Sequence, residues 1–231
     1  MIVPHGAYMF SGAISANAFF EIASQTIDTF ILIGPDHRGI GKRISIISDG
    51  YWQTPLGNTI IDNTITNDLQ NSCDFIEDDI RAHQIEHSLE IQIPFIQYIF
   101  RNSFTIVPIL MRDQDIQTSI ILGDLIAKFI ANKNAIIIAS SSLNHYETNL
   151  ITYEKDHHII KSIENLNIES FYQSLTNLDS SLCGFGPIAS LMRAAQILGS
   201  KKGVLLKYAT SGDVVSDTRN TVVGYASMVF I

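Results

Sequence analysis

Three short apolar runs in this 231-residue chain end in tight loops that each deliver a histidine. Met1-Ile2-Val3 precedes Pro4-His5, Phe30-Ile31-Leu32-Ile33 precedes Gly34-Pro35-Asp36-His37, and Ala135-Ile136-Ile137-Ile138-Ala139 precedes Ser140 through His145. Runs this brief, rich in isoleucine and bounded by Gly, Pro or Ser, read as strands buried on both faces. Such strands belong in a mostly parallel sheet with helices on either side, where the loops beyond the carboxyl ends form the ligand crevice. The expected fold is therefore α/β, a single-domain α/β/α sandwich over residues 1–231 around a mixed, mainly parallel sheet. Three strands then aim imidazoles at one sheet edge, and metal binding is the first chemistry to test.

Composition narrows the function classes. With 46% hydrophobic and 16% charged residues the chain has enough apolar material for a sizeable core. A formal net charge of -8 and the lack of a lysine or arginine cluster argue against nucleic acid as a partner. No apolar stretch is long enough for a membrane span and no secretion signal opens the chain, so the expected location is the cytoplasm, away from membranes. The two cysteines, Cys73 and Cys183, then read as free thiols.

Patterning predicts a strand-helix-strand unit over residues 1 to 33, with Ala13, Ala16, Phe20 and Ala23 at helical spacing. Two strands flank a turn-rich connection over residues 44 to 62. A short helix follows over Asn63 to Leu69, and another over Glu86 to Phe100 is interrupted or begun near Pro94. Phe104 to Leu110, Val204 to Tyr208 and Val222 to Phe230 read as strands. Ile116 to Ala131, Asp156 to Ile163, Ile168 to Leu175 and Pro187 to Leu198 read as helices, the last stopped by Gly199.

Several residues carry possible chemistry. Cys183 lies in Leu182-Cys183-Gly184-Phe185-Gly186-Pro187, ahead of a helix start that favours an anionic thiolate. A buried structural cysteine is the competing reading, and the neighbouring glycines, which permit close backbone approach, weigh against it. Cys73 has no such setting and reads as structural or surface. A lone loop histidine is usually a solvated one, but the parallel placement of His5 and His37 strengthens both. His145, in a polar loop with Ser140, Ser141, Ser142 and Asn144, suits acid or base work near neutral pH. His157 and His158 fall on a polar helix and read as solvated.

His83-Gln84-Ile85-Glu86-His87 matches an inverted zinc-peptidase motif, in which two histidines one helical turn apart hold zinc and a glutamate activates water. So short a pattern recurs by chance and needs a third ligand from another helix. The plainer reading is a helix whose Ile85, Leu89 and Ile93 face inward.

The chain resembles the Memo family, relatives of the class III extradiol dioxygenases that include protocatechuate-type ring-cleaving enzymes. The resemblance runs almost end to end. It rests on Val3-Pro4-His5 with Tyr8 and Phe10-Ser11-Gly12, Ile33-Gly34-Pro35 with His37, and Asp49-Gly50 with Trp52 and Thr54-Pro55-Leu56-Gly57. Glu86-His87-Ser88-Leu89-Glu90 with Pro94-Phe95, Leu143-Asn144-His145-Tyr146, Cys183-Gly184 with Pro187, and Val223-Gly224-Tyr225-Ala226 complete it. It implies a metal site at His5, His37 and Cys183, with His145 in the same pocket, and iron or copper as the metal, zinc being possible. In the ring-cleaving relatives the comparable positions are two histidines and a glutamate around ferrous iron, with a further histidine as catalytic base. A thiolate in place of the carboxylate favours Cu(I), zinc or a redox-active iron, so ring cleavage is not inherited with the fold.

Two departures accompany the resemblance. Family members usually carry an aspartate where this chain has Ser142, which removes a carboxylate from beside the metal. They also usually read His-Ala-Gly where His5-Gly6-Ala7 stands, after an amino-terminal arm, so His5 is expected to be held less firmly. The resulting expectation is metal-dependent oxidation or reduction of an unknown small molecule, with His145 moving protons. The alternative is a non-enzymatic binding or adaptor protein that keeps the pocket and recognises a protein partner, a reading the serine favours. A zinc peptidase using His83, Glu86 and His87 is a distant third.

Overall fold

The structure, a computed structural model, describes residues 1–101, 104–215 and 221–231. The chain begins with β1 (Ile2–Val3), α1 (Tyr8–Ile22), β2 (Thr29–Pro35), β3 (Ile44–Ile46), β4 (Tyr51–Thr54), β5 (Gly57–Ile61) and α2 (Asn63–Ser72). It continues with β6 (Ile76–Asp78), α3 (Ile80–Gln84), α4 (Ile93–Phe100), β7 (Thr105–Met111), α5 (Ile116–Ile130) and β8 (Ala135–Ser140). The remainder is β9 (His145–Glu147), α6 (Asn149–Glu164), α7 (Ile168–Asn177), α8 (Phe185–Ile197), β10 (Gly203–Thr210), α9 (Ser211–Val214) and β11 (Val222–Phe230).

The sheet runs β10-β11-β1-β8-β2-β7-β3-β6, with the β4–β5 hairpin attached through β5 to β7 and β9 attached to β11. Its centre, β1-β8-β2-β7, is parallel. Every residue of β2 is buried, and successive residues feed opposite cores. Ile31 and Ile33 join one cluster with Leu122, Ile126, Ile163 and Ile188 from α5, α6 and α8. Phe30 and Leu32 join the other with Phe19 and Ile22 of α1 and Ile93 and Ile96 of α4. Such a two-sided apolar run is stable only between helical layers, which is the expected α/β/α sandwich.

Helix ends follow local chemistry. Asp62, Asp115, Thr148 and Asn167 accept from backbone N–H groups at the starts of α2, α5, α6 and α7. After α8, Gly199 takes a left-handed conformation at φ 101°. The Ser200 N–H then bonds Ala195 O and the Gly199 N–H bonds Gln196 O, a Schellman stop.

Three expectations need correction. The core face of α1 is Ile14, Ala18, Phe19 and Ile22, whereas Ala13, Ala16 and Ala23 are exposed and Phe20 is 78% exposed. Phe19 and Phe20 are chemically equal, so only the packing partner, Phe95 stacked on Phe19, distinguishes them. The connection over residues 44 to 62 contains a third strand, because Tyr51–Thr54 pairs with Gly57–Ile61 as a hairpin. The helix expected over Glu86 to Phe100 does begin near Pro94, at Ile93, with residues 85–92 non-helical after α3 ends at Gln84, but its inward face needs correction. Leu89 and Ile93 face inward, but Ile85 is 55% exposed.

Candidate metal centre

β8 lies between β1 and β2, so the three histidine-bearing strands are neighbours, with Val3 beside Ser140 and Ile33 beside Ala139. Parallel strands end at one edge, and the short loops after Val3 and Pro35 therefore deliver His5 and His37 together. Cys183 arrives from the other side, one residue before Gly184, the N-cap of α8. Gly184 is required there, because a Cβ would lie 2.6 Å from the Ser141 Cβ and 2.8 Å from Ser140 O. Ligand atoms of His5, His37 and Cys183 all lie within 4.8 Å of one another, and His5 Nε2 is 3.1 Å from Cys183 Sγ.

A surrounding set of hydrogen bonds fixes how the two imidazoles face. Ser140 Oγ donates its proton to Ser88 O at 2.6 Å, so toward His5 Nδ1, 3.1 Å away, it acts as acceptor. His5 thus carries a proton on Nδ1 and turns Nε2 toward the thiol. Gln92 Nε2 donates to the same Ser140 Oγ at 3.0 Å and to Pro4 O at 2.9 Å, tying the loop after β1 to the end of β8. His37 Nδ1 donates to Glu86 Oε1 at 2.9 Å, which turns its Nε2 toward Cys183. Carboxylate and hydroxyl partners of this kind orient metal-binding histidines and raise their basicity.

Glu86, only 3% exposed, is the organising group. Besides His37 Nδ1 it accepts the backbone N–H groups of His37 at 2.8 Å, His87 at 2.8 Å and Ser88 at 2.9 Å. Burial alone would raise its pKa, but the His37 imidazole and the donated N–H groups hold the carboxyl down at about 2. Burial would lower His37, yet Cys183 and Glu86 outweigh it and raise the ring to about 10. Burial would also raise the Cys183 thiol; the imidazoles of His5 and His37, with a contribution from His145, bring it well below its ordinary range. The three donors thus form a thiolate set against imidazoles, a strong soft-metal ligand set.

His145 stands apart from that trio. It opens β9, its N–H donates to Ser181 Oγ at 2.7 Å, and Nδ1 donates to Ser181 O at 3.1 Å, so Nε2 is free. Its loop is anchored beneath by Asp156, which accepts from the Asn144 N–H at 3.0 Å and from Tyr208 Oη at 2.7 Å. Ser142 is buried, and its carbonyl oxygen is 3.5 Å from Cys183 Sγ. The carboxylate adjoining the trio is Glu86, bonded to His37. The expected loosening of His5 is not found: the ring is 4% exposed and held by Ser140.

The peptidase pattern does not form. His83, buried on α3, bonds Asp79 O at 3.1 Å, while His87 lies beyond the end of that helix and stacks on His37 with ring centroids 4.8 Å apart. Among the described residues, the second group able to hold an ion is His37, Glu86 and His87, without His83. His157 and His158 are exposed, and Cys73 packs partly buried against the core. Sequence reasoning passed over Gln92, Ser140 as an orienting group, and His87 as a neighbour of the centre. Gln92 and His87 had a signal only in closeness to the Glu86-His87-Ser88 run and Ser140 only in its place at the end of β8, because an orienting role depends on which loops meet.

Comparison with known proteins places the whole chain in one family. Residues 1–229 match the Memo-like protein family. A MEMO1 family protein of Nitrosopumilus maritimus is 38% identical over 231 residues, covering 100% of this chain and 84% of the relative. Relatives from Sulfolobus acidocaldarius and Sulfurisphaera tokodaii, also MEMO1 family proteins, are 40% and 41% identical, each covering 99% of this chain and 81% of their own length. The chain belongs to the Memo-like protein family.

Proposed function

We propose that this chain is a metal protein in which His5, His37 and Cys183 hold iron or copper, with zinc the alternative ion, and that it carries out redox chemistry on a small molecule. The observation carrying this reading is the meeting of two Nε2 atoms, each turned toward Cys183 by a bond at Nδ1, with one thiolate. Neighbouring ligands on an ion with bonds of about 2.0–2.3 Å lie roughly 3–4 Å apart, close to the spacing available here. A bound iron or copper would supply electron transfer and Lewis acidity. Glu86 keeps His37 in its ligating tautomer, Ser140 does the same for His5, and His145 offers a free Nε2 to move a proton on a bound molecule. The free thiols suit the reducing cytoplasm.

Anaerobic titration of the parent and Cys183→Ser with Cu(I) and Fe(II) tests the assignment. The variant should lose at least about 100-fold in Cu(I) affinity while keeping its fold, because the polarizable anionic ligand is gone. Equal affinities would remove Cys183 from the site. A second reading, a binding or adaptor protein that uses the pocket without chemistry, draws on Ser142, which supplies no carboxylate beside Cys183. Metal binding without turnover or redox change of the ion would favour it.

A further inference from the structure

Beside the centre lies a second feature that the metal assignment leaves unused. A cavity of about 580 Å³ is lined by Tyr8, Trp52, Leu56, His87, Glu90 and Pro94, among others. His87 connects it to the centre, since its ring stacks on His37 and meets His5 edge-on at 5.4 Å between centroids. The volume falls in the range of small-molecule sites. Its walls are mostly flat and apolar, and two of them are fixed. The Tyr8 hydroxyl donates to Ile91 O at 2.9 Å, and Trp52 packs edge-to-face against His83, with centroids 6.0 Å apart.

The charge of the cavity is one-sided. Glu90 is its carboxylate, and no lysine or arginine lines it. Among the described residues, no hydrogen bond or ion pair engages Glu90, yet its charge helps keep the Tyr8 phenol protonated, as burial does. An anionic ligand entering here would meet carboxylate without a cation, whereas a protonated amine would meet Glu90 and the electron-rich faces of Trp52 and Tyr8.

We propose that this cavity selects ligands in which a planar ring carries a protonated alkylamine, the ring packing among Trp52, Leu56 and Pro94 and the ammonium group facing Glu90. The inference rests on the metal-centre reading for what happens to such a ligand, since His87 places the ring next to the ion site. It concerns binding alone and adds no chemical step.

Trp52 is the one tryptophan in the chain, so its fluorescence, excited at the red edge of absorption, reports on this cavity directly. The metal-free protein is titrated with tyramine, the neutral 4-ethylphenol and the anionic 3-(4-hydroxyphenyl)propionate, with calorimetry as the second measurement. Tyramine should bind about tenfold more tightly than the carboxylate. Glu90→Gln should reduce that preference to within about threefold, and Glu90→Lys should reverse it. Glu90 is exposed, so both variants should fold, which circular dichroism checks.

Equal or tighter binding of the carboxylate, a preference that survives Glu90→Gln, or no saturable response to tyramine would each overturn the proposal. Parallel Cu(I) and Fe(II) titrations separate the two readings. Normal metal binding without amine selection removes the cavity assignment alone, whereas amine selection by a protein that binds neither ion supports the cavity and removes the metal assignment.

Discussion

Glu86, beside the candidate metal centre, and Asp156, beneath the His145 loop, are both buried carboxylates held by several donors, yet they shift in opposite directions. At Glu86 three backbone N–H groups and the His37 ring hold the carboxyl at about 2. Asp156 is bonded by Asn144 and Tyr208, but burial wins and its carboxyl is raised above the ordinary value. The number of hydrogen bonds therefore does not decide the outcome. Glu86 faces an imidazole that takes up a proton and becomes a cation, whereas the groups bonded to Asp156 are neutral, so only Glu86 recovers the cost of desolvation as a charge. The ion pair orients the candidate ligand His37; the other carboxylate shapes a loop.

The largest expected effect comes from Glu86→Ala. It orphans the N–H groups of His37, His87 and Ser88 and frees the His37 ring, and should cost on the order of 3–5 kcal/mol in stability. Chemical denaturation of the metal-free protein measures it, and a loss below about 1 kcal/mol would mean the turn can re-form without its carboxylate. Glu86→Gln comes next. Both oxygens of Glu86 accept an N–H, so an amide turned either way sets its NH2 against a donor. Metal affinity should fall about 10- to 100-fold as the orientation of His37 loosens. An unchanged affinity would show that His37 needs no orienting partner.

The pH dependence of stability gives the sharpest contrast. Because Glu86 is lowered on folding, its contribution is complete above its ordinary value of 4.5 and is lost as pH falls toward about 2. Asp156 is raised on folding, so its contribution is complete below 3.8 and is lost as pH rises through the raised folded value. Metal-free Glu86→Gln should therefore lose most, relative to the parent, above pH 4.5, whereas the stability of Asp156→Asn should improve relative to the parent as pH rises. The Asn side chain fits, because its oxygen can accept from Asn144 while Tyr208 Oη accepts from its NH2. Slopes of the same sign for both variants would break the comparison.

The smallest effect is expected at His145. His145→Ala should change Cu(I) and Fe(II) affinity by less than about threefold and stability by less than about 1 kcal/mol, altering only reactivity or ligand affinity. A large loss of metal would move His145 into the ligand set.

Much of this arrangement was legible before folding. The isoleucine runs of β2 and β8 required burial on both faces, and Pro187 with Gly199 bounded α8 closely. The Glu86 turn was not legible, because a helical pattern of Leu89, Ile93 and Ile96 continues through it. The turn is set by Glu86 accepting the N–H groups of His87 and Ser88 while Gly34 lets Ser88 approach, a Cβ there lying 2.5 Å from Ser88 Oγ. No local propensity encodes a bond to a loop 49 residues earlier in the chain.

What the sequence by itself determined is the central buried strands, their common edge and the donor types in the loops beyond it. Period-two burial and turn residues are local properties, carried by neighbours along the chain. Tertiary structure alone decided that β8 lies between β1 and β2, that Cys183 comes within 3.1 Å of His5, and that Glu86 rather than a residue near 142 supplies the adjoining carboxylate. Charge, tautomer and ligand orientation depend on distances between segments far apart in the chain, because electrostatic and hydrogen-bond energies act through space.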